Sequence, residues 1–321
     1  MGQTGVIEMY IDQRRQELME AGYVVVRSMI PPAELETLRS SVDAIVTRAP
    51  DAGRVTMTDW VDRQSAAAVE LCFDDRVFDF SRQLMEAPDA APLGMWVLCA
   101  SGTGWHRDIH PHDMAPLDGL QEDIRLNGPP YVQWNIALID DSYLRVMPGS
   151  HLRRNNADER QVERSQGVVP LPGAKTVDLA AGDGVVYINN ILHCAESNGN
   201  EKRRTLHLGY QAFGGRGFTH FFLPATMGVH FIEHLSPWAA EKCVYFERLH
   251  AQRHDDVAAD AARDRGGGRG RLDGGTGSDP PERARADDDA GRAVESRLSD
   301  SQIQRREAGG QRQRPLHPDY G

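Results

Sequence analysis

Lysine, paired cysteine and long apolar runs are what this sequence lacks. Its 321 residues include three lysines and carry a formal net charge of -11, so no basic face is available to neutralise nucleic-acid phosphates. The four cysteines lie far apart without a Cys-x-x-Cys pair, which argues against a zinc ribbon or a disulfide framework. No apolar run approaches the roughly 20 residues of a membrane helix, and the N-terminus has no secretory pattern. We therefore expect a cytoplasmic protein with neither nucleic acid nor a membrane as partner.

The chain divides by composition near residue 250. Residues 1–250 have the mixture of apolar and polar residues expected of one globular domain. Residues 251–321 hold 13 arginines, 14 acidic residues and 11 glycines but almost no large apolar side chains. Such a segment buries too little surface to offset its chain entropy, so we expect a disordered, low-complexity tail. The alternative is a shifted reading frame, because the change in composition is abrupt.

The order of the elements within residues 1–250 predicts a mainly β fold with flanking α-helices. A helix is expected to end at Gly22 and to lead into a strand, and Pro31-Pro32 opens a second helix. Leu35, Leu38, Val42, Ile45 and Val46 share one face of that second helix. Short strands between turns follow, and short strands with frequent breaks indicate a barrel or sandwich. The predicted strands are residues 94–100, 131–139, 143–147, 176–179, 184–189 and 204–212.

The segment GTGWHRDIHPHD, residues 102–113, carries the first indication of chemistry. His106 and Asp108 are two residues apart, and residues i and i+2 of a strand point to the same face. One imidazole and one carboxylate make two corners of a metal site. Two histidines with one carboxylate leave coordination positions open and are typical of non-haem iron(II) oxygenases. A third ligand must come from elsewhere, because His-x-Asp alone is common by chance.

A candidate third ligand follows the strand expected at residues 184–189. His193 lies close to the end of that strand, and Arg204 lies eleven residues further on, at the start of the next one. A guanidinium binds a carboxylate through two parallel hydrogen bonds, which suits a chelating 2-oxo acid on the metal. The alternative is that His193 is a structural histidine of the barrel and that Arg204 is a surface charge.

Over roughly residues 8–215 the chain resembles the phytanoyl-CoA dioxygenase family. The resemblance rests on five features in the family's order: AGYVVVRSMIPPAELETLRSSVDAIV, WHRDIH, VQWNIALIDDSYLRVMPGSH, AGDGVVYINNILHCAESN and the arginine that follows. It implies a double-stranded β-helix, that is, a jelly-roll or cupin-like core. It also implies iron(II) as cofactor and 2-oxoglutarate as co-substrate.

The resemblance assigns roles to individual residues. His106, Asp108 and His193 would bind iron(II), and Arg204 would bind the distal carboxylate of 2-oxoglutarate. Trp134 matches a tryptophan that lines the 2-oxoglutarate pocket. The remaining candidates are Gln133 for the pocket and His110 for the substrate; Ala195 stands where relatives often have a serine. Gln133 and Trp134 are neighbours on one strand and so cannot both face the pocket unless the strand is bulged.

We therefore expect a 2-oxoglutarate-dependent dioxygenase that hydroxylates a small-molecule metabolite with dioxygen. Relatives that halogenate replace the metal carboxylate with a small residue, whereas Asp108 is present here. Two alternatives remain: a zinc or manganese barrel enzyme, such as an isomerase or hydrolase, and a catalytically silent relative that binds a ligand. The oligomeric state and the substrate are not encoded in any motif of this sequence.

Overall fold

The structure is a computed structural model, and the elements below are those of its described residues. These are residues 3–50, 52–57, 61–88, 90–99, 102–108, 124, 128–165, 167–196, 203–212, 229–246 and 248. The predicted tail from residue 251 lies outside them, so its disorder stays a prediction. Among the described residues, no helix is both long enough and apolar enough to cross a membrane.

Helices and strands follow the predicted order, with helices concentrated in the first part of the chain. The helices are α1 (Gln3–Ala21), α2 (Pro32–Val46), α3 (Ala66–Glu70), α4 (Phe78–Met85) and α5 (Ala157–Ser165), and residues 237–246 are also helical. The first strands are β1 (Tyr23–Val26), β2 (Arg54–Thr56), β3 (Ala91–Leu98), β4 (Thr103–His106) and β5 (Tyr131–Ala137). The later strands are β6 (Leu144–Val146), β7 (Lys175–Thr176), β8 (Gly184–Ile188), β9 (His193–Ala195) and β10 (Thr205–Gln211).

These strands form two antiparallel sheets. The larger sheet has six strands in the order β1-β8-β5-β10-β3-β2, and the smaller has four in the order β4-β9-β6-β7. Neighbours in each sheet are mostly distant in sequence, as expected when a chain alternates between two sheets of a jelly roll. The predicted mainly β fold with flanking helices is thereby confirmed.

The first helices cover the outer face of the larger sheet. Leu35, Leu38, Val42, Ile45 and Val46 of α2 are buried, as their spacing predicts. They belong to one apolar cluster with residues of α4 and with alternate residues of the central strands. The strand residues in that cluster include Val132, Trp134, Ile136, Leu206, Leu208 and Tyr210.

The intervening residues of the central strands face the other way, toward the smaller sheet. On β5 these are Tyr131, Gln133 and Asn135, and on β10 they are Thr205, His207, Gly209 and Gln211. Part of the space between the sheets is filled by apolar side chains of both, Val146 and Tyr187 among them. The alternation of strand faces therefore divides the large sheet into an apolar outer face and a largely polar inner face.

Gly209 makes room for a tyrosine on this inner face. A Cβ atom at Gly209 would lie 1.9 Å from the hydroxyl oxygen of Tyr131 and 2.8 Å from the ring carbon that bears it. The glycine is therefore required by the close approach of Tyr131, which crosses from β5 onto β10.

We expect Gly209→Ala to destabilise the protein by about 1–3 kcal/mol, because Tyr131 would have to move within a packed region. Urea unfolding measures this difference. Gly167→Ala is the matched control, since the nearest atom to its Cβ is Ser165 Oγ at 3.3 Å. Tyr131→Phe in the Gly209→Ala background should recover part of the loss. Equal unfolding free energies for Gly209→Ala and wild type would contradict the role of Tyr131.

Candidate metal centre

The two candidate histidine ligands lie directly opposite each other across a strand pair. β4 and β9 are antiparallel neighbours, with Thr103 paired to Ala195 and His106 paired to His193. Between these two pairs β4 advances by three residues and β9 by only two, so β4 contains a β-bulge. A bulge changes the direction of the side chains beside it. The two imidazole centroids are 4.3 Å apart. Asp108 follows two residues after His106, just beyond the end of β4.

Backbone carbonyls fix the orientation of both imidazoles. His106 Nδ1 donates to the carbonyl oxygen of Gly104 at 2.7 Å, and His193 Nδ1 donates to that of Ile191 at 2.9 Å. Because a carbonyl only accepts, Nδ1 of each ring carries a hydrogen, and in the neutral ring the lone pair lies on Nε2. Each Nε2 faces Asp108, at 3.4 Å from Oδ1 for His106 and 4.0 Å from Oδ2 for His193. This is the arrangement by which proteins orient histidine for a metal.

The protonation of these groups also suits a metal. Burial, with the nearby His106, lowers the pKa of His193 to about 4, so its imidazole is neutral at neutral pH. Burial alone would raise the pKa of Asp108, but the hydrogen bond from His106 and the charges of both imidazoles outweigh it and lower it to about 2. Burial would lower the pKa of His106, yet the neighbouring Asp108 carboxylate raises it overall, and a metal ion at Nε2 would take the place of the proton of the charged ring. A neutral imidazole and an ionised carboxylate are the forms that bind metal ions.

One ligand atom from each of His106, Asp108 and His193 lies within 4.8 Å of the other two. A single divalent ion could contact all three at once. Two imidazole nitrogens and one carboxylate oxygen suit iron, and the set leaves further coordination positions for other ligands. These residues therefore fit the cofactor that the family resemblance implies.

Arg107, between two of the ligands, ties their segment to its neighbours. Its side chain is buried, and burial lowers its pKa to about 10. The guanidinium donates to the carbonyl oxygen of Ser150 at 2.9 Å, to that of Asn190, and to Asn155 Oδ1. The backbone N–H of Asp108 also donates to the carbonyl oxygen of Asn189 at 3.2 Å. The chain segments that carry Asp108 and His193 are thus held together on the side away from the ligand atoms.

The Pro-Gly-Ser-His turn at residues 148–151 supports the same region. Ser150 Oγ accepts a hydrogen bond from the backbone N–H of Leu192, next to His193, at 2.8 Å. His151 is fully buried and its Nε2 lies 3.1 Å from the carbonyl oxygen of Met19 in α1. His151 is therefore a structural residue that joins the turn to the helical layer.

Polar residues of the large sheet face the metal centre from across the space between the sheets. His207 Nδ1 lies 2.7 Å from Asn135 Oδ1, and burial lowers the pKa of His207 to about 3, helped by the charge of Arg54. The ring of Tyr187 is 5.2 Å from that of His193. Asn135, His207 and Tyr187 were not predicted as site residues. The signal was present in the sequence, because each alternates with apolar neighbours that occupy the opposite strand face.

Trp134, predicted to line the 2-oxoglutarate pocket, lies on the outer face of the large sheet, and Gln133 lies on the inner face. Trp134 is fully buried among the helices, where its Nε1 donates to Ser81 Oγ of α4 at 2.8 Å and its ring lies 5.8 Å from that of Phe80. Gln133 lies beside Tyr131 on the inner face, two residues along β5. Within the described part of the chain, Gln133 Oε1 is buried without a hydrogen-bond partner. The strand has no bulge at this point that would turn both residues inward.

Arg204, predicted to bind the distal carboxylate of 2-oxoglutarate, also lies on the outer side of the large sheet. Its Nε bonds Asp43 Oδ1 of α2 at 2.6 Å, on the helical side of the large sheet. The preceding residue, Arg203, shares the inner face with Thr205 and His207. Arg203 is buried, its Nε lies 2.9 Å from Asp141 Oδ2, and its guanidinium lies over the ring of Tyr143 at 5.3 Å. His110, the predicted substrate residue, lies outside the described residues.

Comparison with known proteins places the chain in a family. The family model for phytanoyl-CoA dioxygenase (PhyH) matches residues 18–206, which is more than half of the chain. The chain belongs to the phytanoyl-CoA dioxygenase family. This membership confirms the resemblance and the fold class predicted from the sequence, and with them the cofactor class of iron and 2-oxoglutarate. No curated protein sequence gives a significant match.

Three solved structures are similar to part of the chain. HygX from Streptomyces hygroscopicus, with nickel and 2-oxoglutarate bound, is 20% identical, with 63% of this chain and 87% of HygX covered and a TM-score of 0.49. AviO1 from Streptomyces viridochromogenes Tue57 is 19% identical, with 64% and 96% covered and a TM-score of 0.48. The non-heme alpha-ketoglutarate-dependent epimerase SnoN from nogalamycin biosynthesis is 16% identical, with 64% and 81% covered and a TM-score of 0.46.

Replacing any of the three ligands should greatly weaken metal binding. We expect His106→Ala, Asp108→Ala and His193→Ala each to weaken cobalt(II) binding by about 100-fold or more, since even the loss of an outer-shell partner costs 10–100-fold. The visible spectrum of bound cobalt(II) measures the affinity without turnover. His234→Ala is the control, because His234 is partly exposed and lies outside this cluster. Tight binding in any one of the three variants would remove that residue from the site.

Arg107→Met should weaken cobalt(II) binding by about 10–100-fold although no ligand is lost, because the segments that carry Asp108 and His193 lose their common anchor. Arg160→Met is the control, since the exposed Arg160 bonds the neighbouring backbone of Asn155 at 2.5 Å. Affinities are compared well below the melting temperature of each variant. An unchanged affinity for Arg107→Met would show that the hydrogen bonds of Arg107 are not needed to orient the ligands.

Proposed function

We propose that this protein is an iron(II)- and 2-oxoglutarate-dependent dioxygenase that hydroxylates a small molecule. The observation that carries the proposal is the convergence of His106 Nε2, His193 Nε2 and the Asp108 carboxylate within 4.8 Å. When bound, iron and 2-oxoglutarate supply the oxidising chemistry: dioxygen oxidises the oxo acid to succinate and carbon dioxide and places its other oxygen atom in a C–H bond. The residues of the chain hold, orient and shield these reactants.

The ligands are prepared for iron(II) before it binds. Both imidazoles carry their hydrogen on Nδ1, fixed by the carbonyl oxygens of Gly104 and Ile191, so neither has to change tautomer. The carboxylate of Asp108 is ionised well below neutral pH. Its presence favours hydroxylation over halogenation, because it fills the position that a halide would need.

Arg203 is the residue that we assign to the distal carboxylate of 2-oxoglutarate. It lies on the inner face of the large sheet, and its charge acts on Tyr187 and His207, which both face the space between the sheets. Its Nε is engaged by Asp141, whose Oδ2 also accepts a hydrogen bond from Thr205 Oγ1. This partner fixes the direction of the guanidinium, which has a rigid fork of donors for a second carboxylate.

Gln133 supports the same pocket. Its side chain is 4% exposed and lies between Tyr187 of β8 and Gly209 of β10, which are its register partners on either side. A buried amide oxygen without a partner costs about 1–3 kcal/mol, which an N–H or O–H group of a bound substrate would offset, since ionised 2-oxoglutarate only accepts hydrogen bonds. We therefore keep Gln133 as a pocket residue and remove Trp134.

The test is an anaerobic titration of the metal-free protein with iron(II) and then with 2-oxoglutarate, followed by visible absorbance. A chelated 2-oxo acid on iron(II) gives a weak charge-transfer band, which should appear in wild type and be absent in His193→Ala. If iron(II) binds but the oxo acid produces no band at saturation, the proposal fails, and a zinc or manganese enzyme becomes the next hypothesis. Product masses then separate the reactions, since hydroxylation adds one oxygen atom and epimerisation adds none.

The choice between the two arginines is tested in the same titration. Arg203→Gln should raise the half-saturating concentration of 2-oxoglutarate by about 30-fold or more, because truncating one partner of a buried charge pair costs at least about 2 kcal/mol. Arg204→Gln should leave it unchanged. Arg203→Gln leaves the charge of Asp141 buried without a partner, which could destabilise the fold. The double variant Arg203→Gln, Asp141→Asn removes that charge and is titrated as well. A loss of affinity in Arg204→Gln alone would restore the assignment made from the sequence.

A further inference from the structure

A second arginine, Arg54, faces the same space from the edge of the large sheet. β2 is the edge strand, and its Arg54 and Thr56 pair with Leu98 and Trp96 of β3. Arg54 and Trp96 therefore point to the same side, and the guanidinium carbon of Arg54 lies 4.0 Å from the centroid of the Trp96 ring. Trp96 in turn pairs with His207 of β10, and their rings are 5.7 Å apart. The arginine is thus on the inner face.

The position of Arg54 combines exposure with closeness to the metal ligands. Part of its side chain remains exposed to solvent, although burial of the rest lowers its pKa. Its charge nevertheless lowers the pKa of His207 and acts on Asp108, Tyr131 and Tyr187. No carboxylate among the described residues lies within ion-pair distance of it. Stacking on an indole covers one face of the guanidinium and leaves its N–H edges directed outward, which pre-organises them for an anion.

We propose that Arg54, stacked on Trp96, binds a carboxylate group of the substrate, so that the oxidised substrate is a small molecule bearing a carboxylate. This inference rests on the proposed function, because it places the substrate beside the iron and 2-oxoglutarate. A planar guanidinium and a carboxylate form two parallel, charge-assisted hydrogen bonds, which fix direction as well as position. Arg54 would hold one end of the substrate and thereby determine which of its C–H bonds faces the metal.

The depth of the two inner arginines distinguishes their ligands. Arg203 is 1% exposed and has a carboxylate partner in Asp141, so its ligand must enter the interior of the fold. Arg54 lies on the edge strand and is reached directly from solvent. A co-substrate common to a whole family fits the buried position, and a substrate that is chosen by each enzyme fits the open one.

The surroundings of Arg54 favour a carboxylate over a phosphate. A phosphate group is usually held by two cations or by a helix N-terminus. The described groups near Arg54 are the ring of Trp96, the imidazole of His207, the phenols of Tyr131 and Tyr187 and the carboxylate of Asp108, with no second cation among them. The Nδ1 of His207 donates to Asn135 Oδ1, and its pKa, lowered by burial to about 3, keeps the ring neutral at neutral pH. A single guanidinium stacked on an uncharged aromatic ring suits a ligand group that carries a single negative charge, such as a carboxylate.

The experiment titrates the protein loaded with iron(II) and 2-oxoglutarate, without oxygen, with short aliphatic carboxylic acids and with their primary amides. Calorimetry measures binding, and the charge-transfer band reports whether 2-oxoglutarate stays bound. We expect the acids to bind at millimolar concentrations while the band persists, and the amides to bind at least about tenfold more weakly. Arg54→Gln should remove the preference for acids, and Arg54→Lys should keep part of it. Arg164→Gln, at an exposed position of α5, should behave as wild type.

Three outcomes would overturn the inference. Acids and amides could bind equally, or no acid could bind at its solubility limit, or Arg54→Gln could bind acids as wild type does. If Arg54→Gln instead abolishes the 2-oxoglutarate band, Arg54 is the anchor of the oxo acid, and the inference fails while the proposed function stands. If wild type shows no band at all, the proposed function fails, and the comparison of acids with amides on the metal-free protein still tests Arg54.

Discussion

The antiparallel register between β4 and β9 is the constraint on which the metal centre depends. Two strands far apart in sequence are paired so that His106 lies opposite His193, and the bulge in β4 turns one imidazole toward the other. The carbonyls of Gly104 and Ile191 then fix both rings with Nε2 toward Asp108. A shift of one residue in this register would send one histidine to the opposite face. The buried guanidinium of Arg107 helps to hold that register, because Arg107 lies in the segment of His106 and donates hydrogen bonds to the carbonyl oxygen of Asn190, close to His193.

Alternation of strand faces organises the rest of the site. On β5 and β10 every second residue is apolar and packs against the helices, while the others are polar and face the metal centre. The outer residues stabilise the fold by burying apolar surface, and the inner residues are held in place by that packing. The polar groups inside need partners because an unsatisfied buried group is costly. Pairs such as His207 with Asn135 and Arg203 with Asp141 meet this need.

The same alternation explains how much of the site the sequence could predict. His106 and Asp108 are two apart, so one strand rule places them together, and His193 follows from the family pattern. Arg204 was assigned by counting from His193, but the count crosses a loop, and loop length does not fix which residue of the next strand faces inward. The apolar positions Leu206 and Leu208 mark the outer face of β10, so the same alternation places Arg203 on the inner face. Trp134 lies on the outer face for the same reason, because it shares that face with Val132 and Ile136 while Gln133 points inward.

The two inner arginines differ in what their environment permits. Removing Arg203 would leave Asp141 as an uncompensated buried charge, which costs about 3–5 kcal/mol in typical proteins, so its identity is tied to the stability of the fold. Arg54 lies on an edge strand with solvent on one side, and surface substitutions usually change stability by less than 0.5 kcal/mol. Residues at that edge can therefore vary without unfolding the protein. In the function proposed above, the residue that binds the co-substrate therefore lies in the interior of the fold, and the residue that selects the substrate lies at its edge.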